Sequence, residues 1–297
     1  MFRKFGSTIF RSTVLLTQRQ RLVAASGVGT SLGIAFFSKK EENETIPPLE
    51  TVNLSKKPKN FDIVVRDSDE LYDNYLIDNC YNILKRFGSS ECSDLLWRLA
   101  RVVCEKAKLT KDATEKKILM LEAFEIVKKA LAHEPTDGCF GAHKWFAILL
   151  DYVGEIEGNK SRIEKAYEVR EHLEKALQIY EDDPTTWHIL GIWHFSFADM
   201  GYATRMVAKA IFATPPSSTY QQALHYFLKA EQISPGFYST NTYYIGEVYE
   251  RLGDKEQAIE NFKKSFKMPV ITSDDAKIHT KAHEKLRKYG VKNADLL

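Results

Sequence analysis

Two stretches of this chain, each opened by a glycine-marked helix and closed by a proline, limit what it can fold into. The first runs from Trp187 to Pro235. It opens Trp187-His188-Ile189-Leu190-Gly191 and closes with Ala223, Phe227, Ala230 and Pro235. The second carries Ile245, Gly246, Tyr249, Gly253, Ala258 and Phe262, with Ser265 in the last small slot, and stops at Pro269. A glycine on one helix and an alanine four residues before an aromatic on the next let two helices approach closely. The aromatic fills the space toward a neighbouring pair. Such a pair cannot bury its apolar face alone, so pairs must stack.

This is the tetratricopeptide (TPR) pattern, W-x2-L-G-x2-Y followed by A-x3-F and a proline. In a repeat of about 34 residues the glycine and alanine lie roughly 12 positions apart. Gly246 and Ala258 keep that distance, whereas Gly191 and Ala223 are 32 apart. The third repeat is therefore split, and an insert runs roughly from Asp199 to Ser218. Within it, Tyr202 to Phe212 has the composition of a three-turn helix, and Ala213-Thr214-Pro215-Pro216-Ser217-Ser218-Thr219-Tyr220 is a stiff turn ending in a helix cap.

Earlier repeats follow the same logic. Trp97, Ala100 and Cys104 fill first-helix slots, and Ala123, Val127, Ala130 and Pro135 fill the second, with about ten extra residues around Lys108–Lys117. Trp145, Leu149 and Tyr152, then Val169, Leu173 and Ala176, make another repeat, with Pro184 three residues late. Asp274 to Tyr289 is cationic around Ile278, Ala282 and Leu286, as a capping helix requires. No sustained two-residue alternation is present. The expectation is an all-α solenoid of about four TPR-like helix pairs, with an inserted helix in the third and a C-terminal capping helix.

The domain division expected is a targeting or anchor segment over 1–38, a linker over 39–66, and the helical domain over 67–297. Residues 1–40 hold seven cations and no acid, so the remaining 257 residues sum to −5 against the net +2. An acidic body has no general affinity for nucleic acid. Residues 1–38 have the Arg-containing, acid-free composition of a transit peptide. Residues 22–37 are 16 without a charge. As a helix they would cover about 24 Å, short of a bilayer core of ~30 Å. A membrane anchor, a cleaved presequence and a disordered tail all fit. Pro47-Pro48 and the charge runs around them cannot bury a face, hence the linker. Ser68-Asp69-Glu70 offers the first helix cap.

No G-x-x-x-x-G-K-[ST], G-x-S-x-G, H-E-x-x-H or G-x-G-x-x-G is present, so no enzyme and no cofactor is expected. Cys80, Cys92, Cys104 and Cys139 form no C-x-x-C and read as reduced, packed thiols. His279 and His283, at i, i+4 without a third ligand, read as a solvated face.

Two surfaces are candidates for binding. The first is a groove under the insert. Tyr202, Arg205, Met206 and Lys209 would form its lid, and His143, Lys144, Lys160 and Arg162 its other wall. Cations there would suit a phosphate or carboxylate, and Met and aromatics an apolar tail. The second is a C-terminal cationic patch, Lys281, Lys285, Arg287 and Lys288, facing an acidic partner such as a tubulin tail or an anionic membrane.

Asp94-Leu95-Leu96-Trp97-Arg98-Leu99-Ala100-Arg101, His143-Lys144-Trp145, Leu190-Gly191-Ile192-Trp193 and the run Phe212 to Tyr220 resemble the regulator of microtubule dynamics family over residues 67–290. Within that family the chain looks most like the short, mitochondrion-associated member. The resemblance implies a non-enzymatic TPR-like domain that associates with microtubules and spindle poles, with mitochondrial placement. For a membrane-anchored relative it also implies tethering and phospholipid binding. The expected function is thus a microtubule- or partner-binding scaffold linked to mitochondria. The alternative is a phospholipid-binding or lipid-transfer module at a mitochondrial membrane, held there through residues 22–37.

Overall fold

The computed structural model describes residues 57–212, 216–270 and 273–292, and the expected targeting segment and most of the linker lie outside them. Four helix pairs form the body: α3 (Ser93–Leu109) with α4 (Ala113–Ala132), α5 (Phe140–Glu157) with α7 (Ala166–Ile179), α8 (Pro184–Ala198) with α10 (Tyr220–Ile233), and α11 (Ser239–Leu252) with α12 (Lys255–Lys267). Consecutive pairs stack through α4–α5, α7–α8 and α10–α11, and α13 (Ser273–Lys288) closes the end on α11 and α12. Before the first pair come α1 (Phe61–Asp73) and α2 (Ile77–Leu84). The short helices α6 (Asn159–Glu164) and α9 (Tyr202–Ile211) interrupt the second and third pairs. The fold is an all-α solenoid of TPR-like pairs.

The first helix of each pair is the inner one. On α8, eleven of fifteen residues are buried, whereas α10 buries only Ala223, Phe227 and Ala230. That is why α8 is apolar all round and α10 shows a single stripe. A Cβ on Gly191 would lie 2.5 Å from the Phe227 ring, and one on Gly246 2.8 Å from the Phe262 ring. The two glycines therefore seat the aromatics of their own pairs. Gly141 of α5 receives Trp97 of the preceding pair in the same way, at 2.2 Å.

Local signals set the helix ends. Asp183 accepts from the Thr186 amide ahead of Pro184 at the first turn of α8. Thr219 and Gln222 form a capping box on α10. Gly253 ends α11 in the left-handed region at φ 86°.

The structure refines several of these readings. The linker ends before Phe61 rather than at 66, and Ser68 caps nothing. It sits inside α1, buried, its hydroxyl donating to the Val65 carbonyl. The extra residues at 108–117 lengthen α3 and α4, with only 110–112 between the helices. His279 and His283 are half-buried, with ring centroids 4.1 and 5.5 Å from that of Phe266, because α13 packs flat on α12.

Candidate functional site

The expected groove wall divides into two places. His143 and Lys144 lie in the first turns of α5. His143 is buried, with Nε2 3.0 Å from Glu134 Oε2 and Nδ1 2.9 Å from His172 Nδ1. Nε2 faces the Glu134 carboxylate at ion-pair range, and across the Nδ1–Nδ1 contact one ring donates and the other accepts. Burial lowers the pKa of both rings, His172 to about 4, so the pair is neutral near pH 7. Lys144 Nζ donates to both oxygens of Asp183, at 3.0 and 2.9 Å. Asp183 also caps α8, so Lys144 bolts the second pair to the third.

Arg162 lies on α6, against Asp151 and Gly154 further along α5, a rise of about 12–16 Å beyond His143. Its guanidinium grips Asp151 in a two-point ion pair, with Nε–Oδ1 at 2.7 Å, and its side chain is 4% exposed. Gly154 makes this possible, because a Cβ there would stand 2.9 Å from Arg162 Cα. Lys160 is exposed and 3.7 Å from Glu164. Of the four wall residues, Lys160 alone presents its charge outward. Burial and partners hold the other three.

The lid is the expected helix, one residue shorter. α9 packs on α6, so the two interruptions of the solenoid meet. Ala208 is its one buried residue, and Phe212 just beyond it meets Tyr167 of α7 edge-on at 5.1 Å. Tyr202 is 80% exposed and Met206 47%. Arg205 donates to the Met200 carbonyl at 3.3 Å, and Lys209 is exposed.

The C-terminal patch is partly neutralised from within. Lys285 bridges Glu247 at 2.6 Å and Glu250. Burial alone would raise the Glu250 pKa, but Lys285, Tyr289 and Lys288 more than offset it and hold the carboxyl below its usual range. Lys288 reaches Glu250 at 3.5 Å while 71% exposed, and Arg287 is exposed. Lys281 is half-buried. Arg287 and Lys288 carry the outward charge of this patch.

Several polar clusters have no signal in the sequence beyond helical spacing. Asp69 of α1 accepts from Arg98 and Arg101 of α3, at 2.9 and 2.6 Å. Burial would raise the Asp69 pKa, but the two guanidiniums bring it below normal. His188 of α8 is fully buried and meets Asn241 of α11 at 3.0 Å, and Asn241 donates on to the Phe227 carbonyl and Glu231. Asp199, at the head of the insert, accepts from Tyr220 and Arg251. These contacts join residues 10 to 53 positions apart. Among the described residues, no three His, Cys, Asp or Glu gather where a metal ion could be held, and no helix is long and apolar enough to cross a membrane.

The family model for regulator of microtubule dynamics proteins 1–3 matches residues 64–290, from α1 through the capping helix. The chain belongs to this family. Regulator of microtubule dynamics protein 1 of Pongo abelii is 41% identical over 231 residues, covering 77% of this chain and 73% of that protein. Protein 1 of Bos taurus is 39% identical over 254 residues, covering 85% and 80%. Protein 3 of Xenopus laevis is 35% identical over 193 residues, covering 65% of this chain and 41% of that protein. Among solved structures, a thermophilic TPR protein of Thermus thermophilus superposes with a TM-score of 0.50 at 14% identity, covering 75% of this chain and 98% of its own. That likeness shows the fold alone.

Proposed function

We propose that this chain is a non-enzymatic TPR-like scaffold that associates with microtubules and protein partners and works at the mitochondrion and spindle. The observation that carries the reading is continuous similarity, over all four helix pairs, to proteins named for the regulation of microtubule dynamics. The acidic body leaves contact with an acidic polymer to local charge, and Arg287 and Lys288 on α13 are the outward cations suited to it. The basic, apolar character of residues 1–40 supports the mitochondrial part.

The test is co-sedimentation of the full chain with polymerised tubulin. Binding is expected to weaken as salt rises, and to fall about ten-fold when Arg287→Glu and Lys288→Glu are combined. Lys285 is left intact because it bridges α13 to α11. Binding that ignores both salt and these charges would overturn the α13 assignment, and no binding at all would overturn the microtubule reading.

A second reading, a phospholipid-binding module at a mitochondrial membrane, is favoured by the apolar and cationic character of α9. Its groove would need another wall than His143, Lys144 and Arg162, which are already engaged. Phospholipid retained through purification, and lost with Arg205→Glu plus Lys209→Glu, would support it. Lipid-free protein would count against it.

A further inference from the structure

The outer face of α9 has no role in the helix stack. Tyr202, Met206 and Ala210 follow one another at i, i+4 along a single line, with Ala203 and Val207 beside it. All five are exposed, Tyr202 by 80%, Met206 by 47% and Val207 by 42%. The other side of the helix, with Ala208 buried and Ile211 packed against the core, holds α9 to the body. The helix contains Arg205 and Lys209 and no acid. An apolar stripe flanked by cations on a short amphipathic helix suits the boundary of an anionic bilayer, where the stripe enters the headgroup region and the cations meet lipid phosphates.

Shape narrows the choice of occupant. A protein helix docks where walls rise on both sides of an apolar groove. Here the apolar residues form the crest of a helix that packs on α6 alone among the helices it meets extensively. A crest meets a flat surface. The charge also fits: the helix is cationic on a body that sums to −5, so α9 locally reverses the repulsion an anionic surface would feel.

We propose that α9 is a membrane-contacting helix that lays its Tyr202–Met206–Val207 face on an anionic bilayer. The contact goes beyond the scaffold reading and does not depend on it, nor on a lipid being held inside the domain. Residues 1–40, basic and partly apolar, carry the same preference. Two weak attachments on one chain give a lasting hold where either alone is readily reversible.

The experiment labels the full chain at a single introduced thiol, Met206→Cys, with an environment-sensitive fluorophore. The four native cysteines are all buried, so the introduced thiol is the accessible one. Glu122→Cys, exposed on the outer face of α4, serves as the control position. On adding phosphatidylcholine–phosphatidylserine vesicles, a blue shift is expected at 206 and none at 122. The response at 206 should weaken by about ten-fold or more in the Arg205→Glu, Lys209→Glu background.

If the chain sediments with the vesicles while the label at 206 stays unchanged, attachment runs through residues 1–40 only and the proposal fails. Equal shifts at both positions overturn it as well. A label at 206 already shifted without vesicles would assign the face to the chain's own apolar segment or, if the protein sediments as a dimer, to a second copy. Either result would also overturn it.

Discussion

The third and fourth helix pairs differ in one respect that isolates what holds a pair together. Both seat a fully buried phenylalanine on a glycine, Phe227 on Gly191 and Phe262 on Gly246. Both end near a proline. In the fourth pair two residues, Gly253 and Asp254, separate the helices; in the third, 21 residues from Asp199 to Thr219 do so, and α9 lies among them. The clamp is nonetheless tighter in the split pair. Helix-on-helix contact, not the connector, therefore decides the pairing. This agrees with the small entropic cost of a longer loop, about 0.6 kcal/mol for each doubling of its length. A connector relieved of holding the pair together is free to carry another surface.

The largest expected effect comes from removing the clamp. Phe227→Ala and Phe262→Ala should each cost about 3–5 kcal/mol in denaturant unfolding, from lost burial plus a cavity. Near-equal losses would support the equivalence of the two pairs. A Phe227 variant losing less than half as much would show the split pair to be the looser one.

Acid should come next. Burial holds His172, His188 and His194 at about 4, against 6.5 when exposed. Between those values the unfolded chain binds more protons, so stability is fully present above pH 6.5 and is lost as pH falls toward 4. The fully buried His188 could contribute up to roughly 3 kcal/mol of that loss. Asp73, held at about 6 by burial against 3.8, opposes it with one proton over much of the same window. His188 belongs to the third pair and reaches Asn241 of the fourth, so His188→Gln should flatten the acid limb of a stability–pH curve. An unchanged limb would mean that this contact does not titrate.

Smaller still is the glycine test. Gly191→Ala gains helix propensity of about 1 kcal/mol but drives a methyl into the Phe227 ring, and the clash should win by about 1–2 kcal/mol. Gly246→Ala, starting 0.3 Å further from its ring, should lose less. A gain in thermal stability at Gly191 would contradict the tight seat.

Much of this architecture was legible because TPR slots pair small residues with large ones at fixed spacing. Gly191, Ala223 and Phe227 gave the split pair, and the insert helix, expected over Tyr202–Phe212, runs Tyr202–Ile211. The start of α1 was not legible, because a buried serine bonded back to its own helix looks, in sequence, like a cap. The groove wall was less legible than the fold. Whether a cation is free depends on tertiary neighbours: Arg162 meets Asp151 and Lys144 meets Asp183 only once α6 and α8 are in place. Periodicity places a residue on a face, but it does not name the residue opposite.

Hydrogen exchange of the full chain tests the central comparison most directly. Amides of α8 and α10 should exchange only with global unfolding, as slowly as those of α11 and α12. Amides of α9, which buries only Ala208 fully, should exchange orders of magnitude faster. Protection of α9 equal to that of α10 would make the insert part of the clamp. Rapid exchange in α8 and α10 would show that splitting the pair had weakened it. Either result would contradict the account.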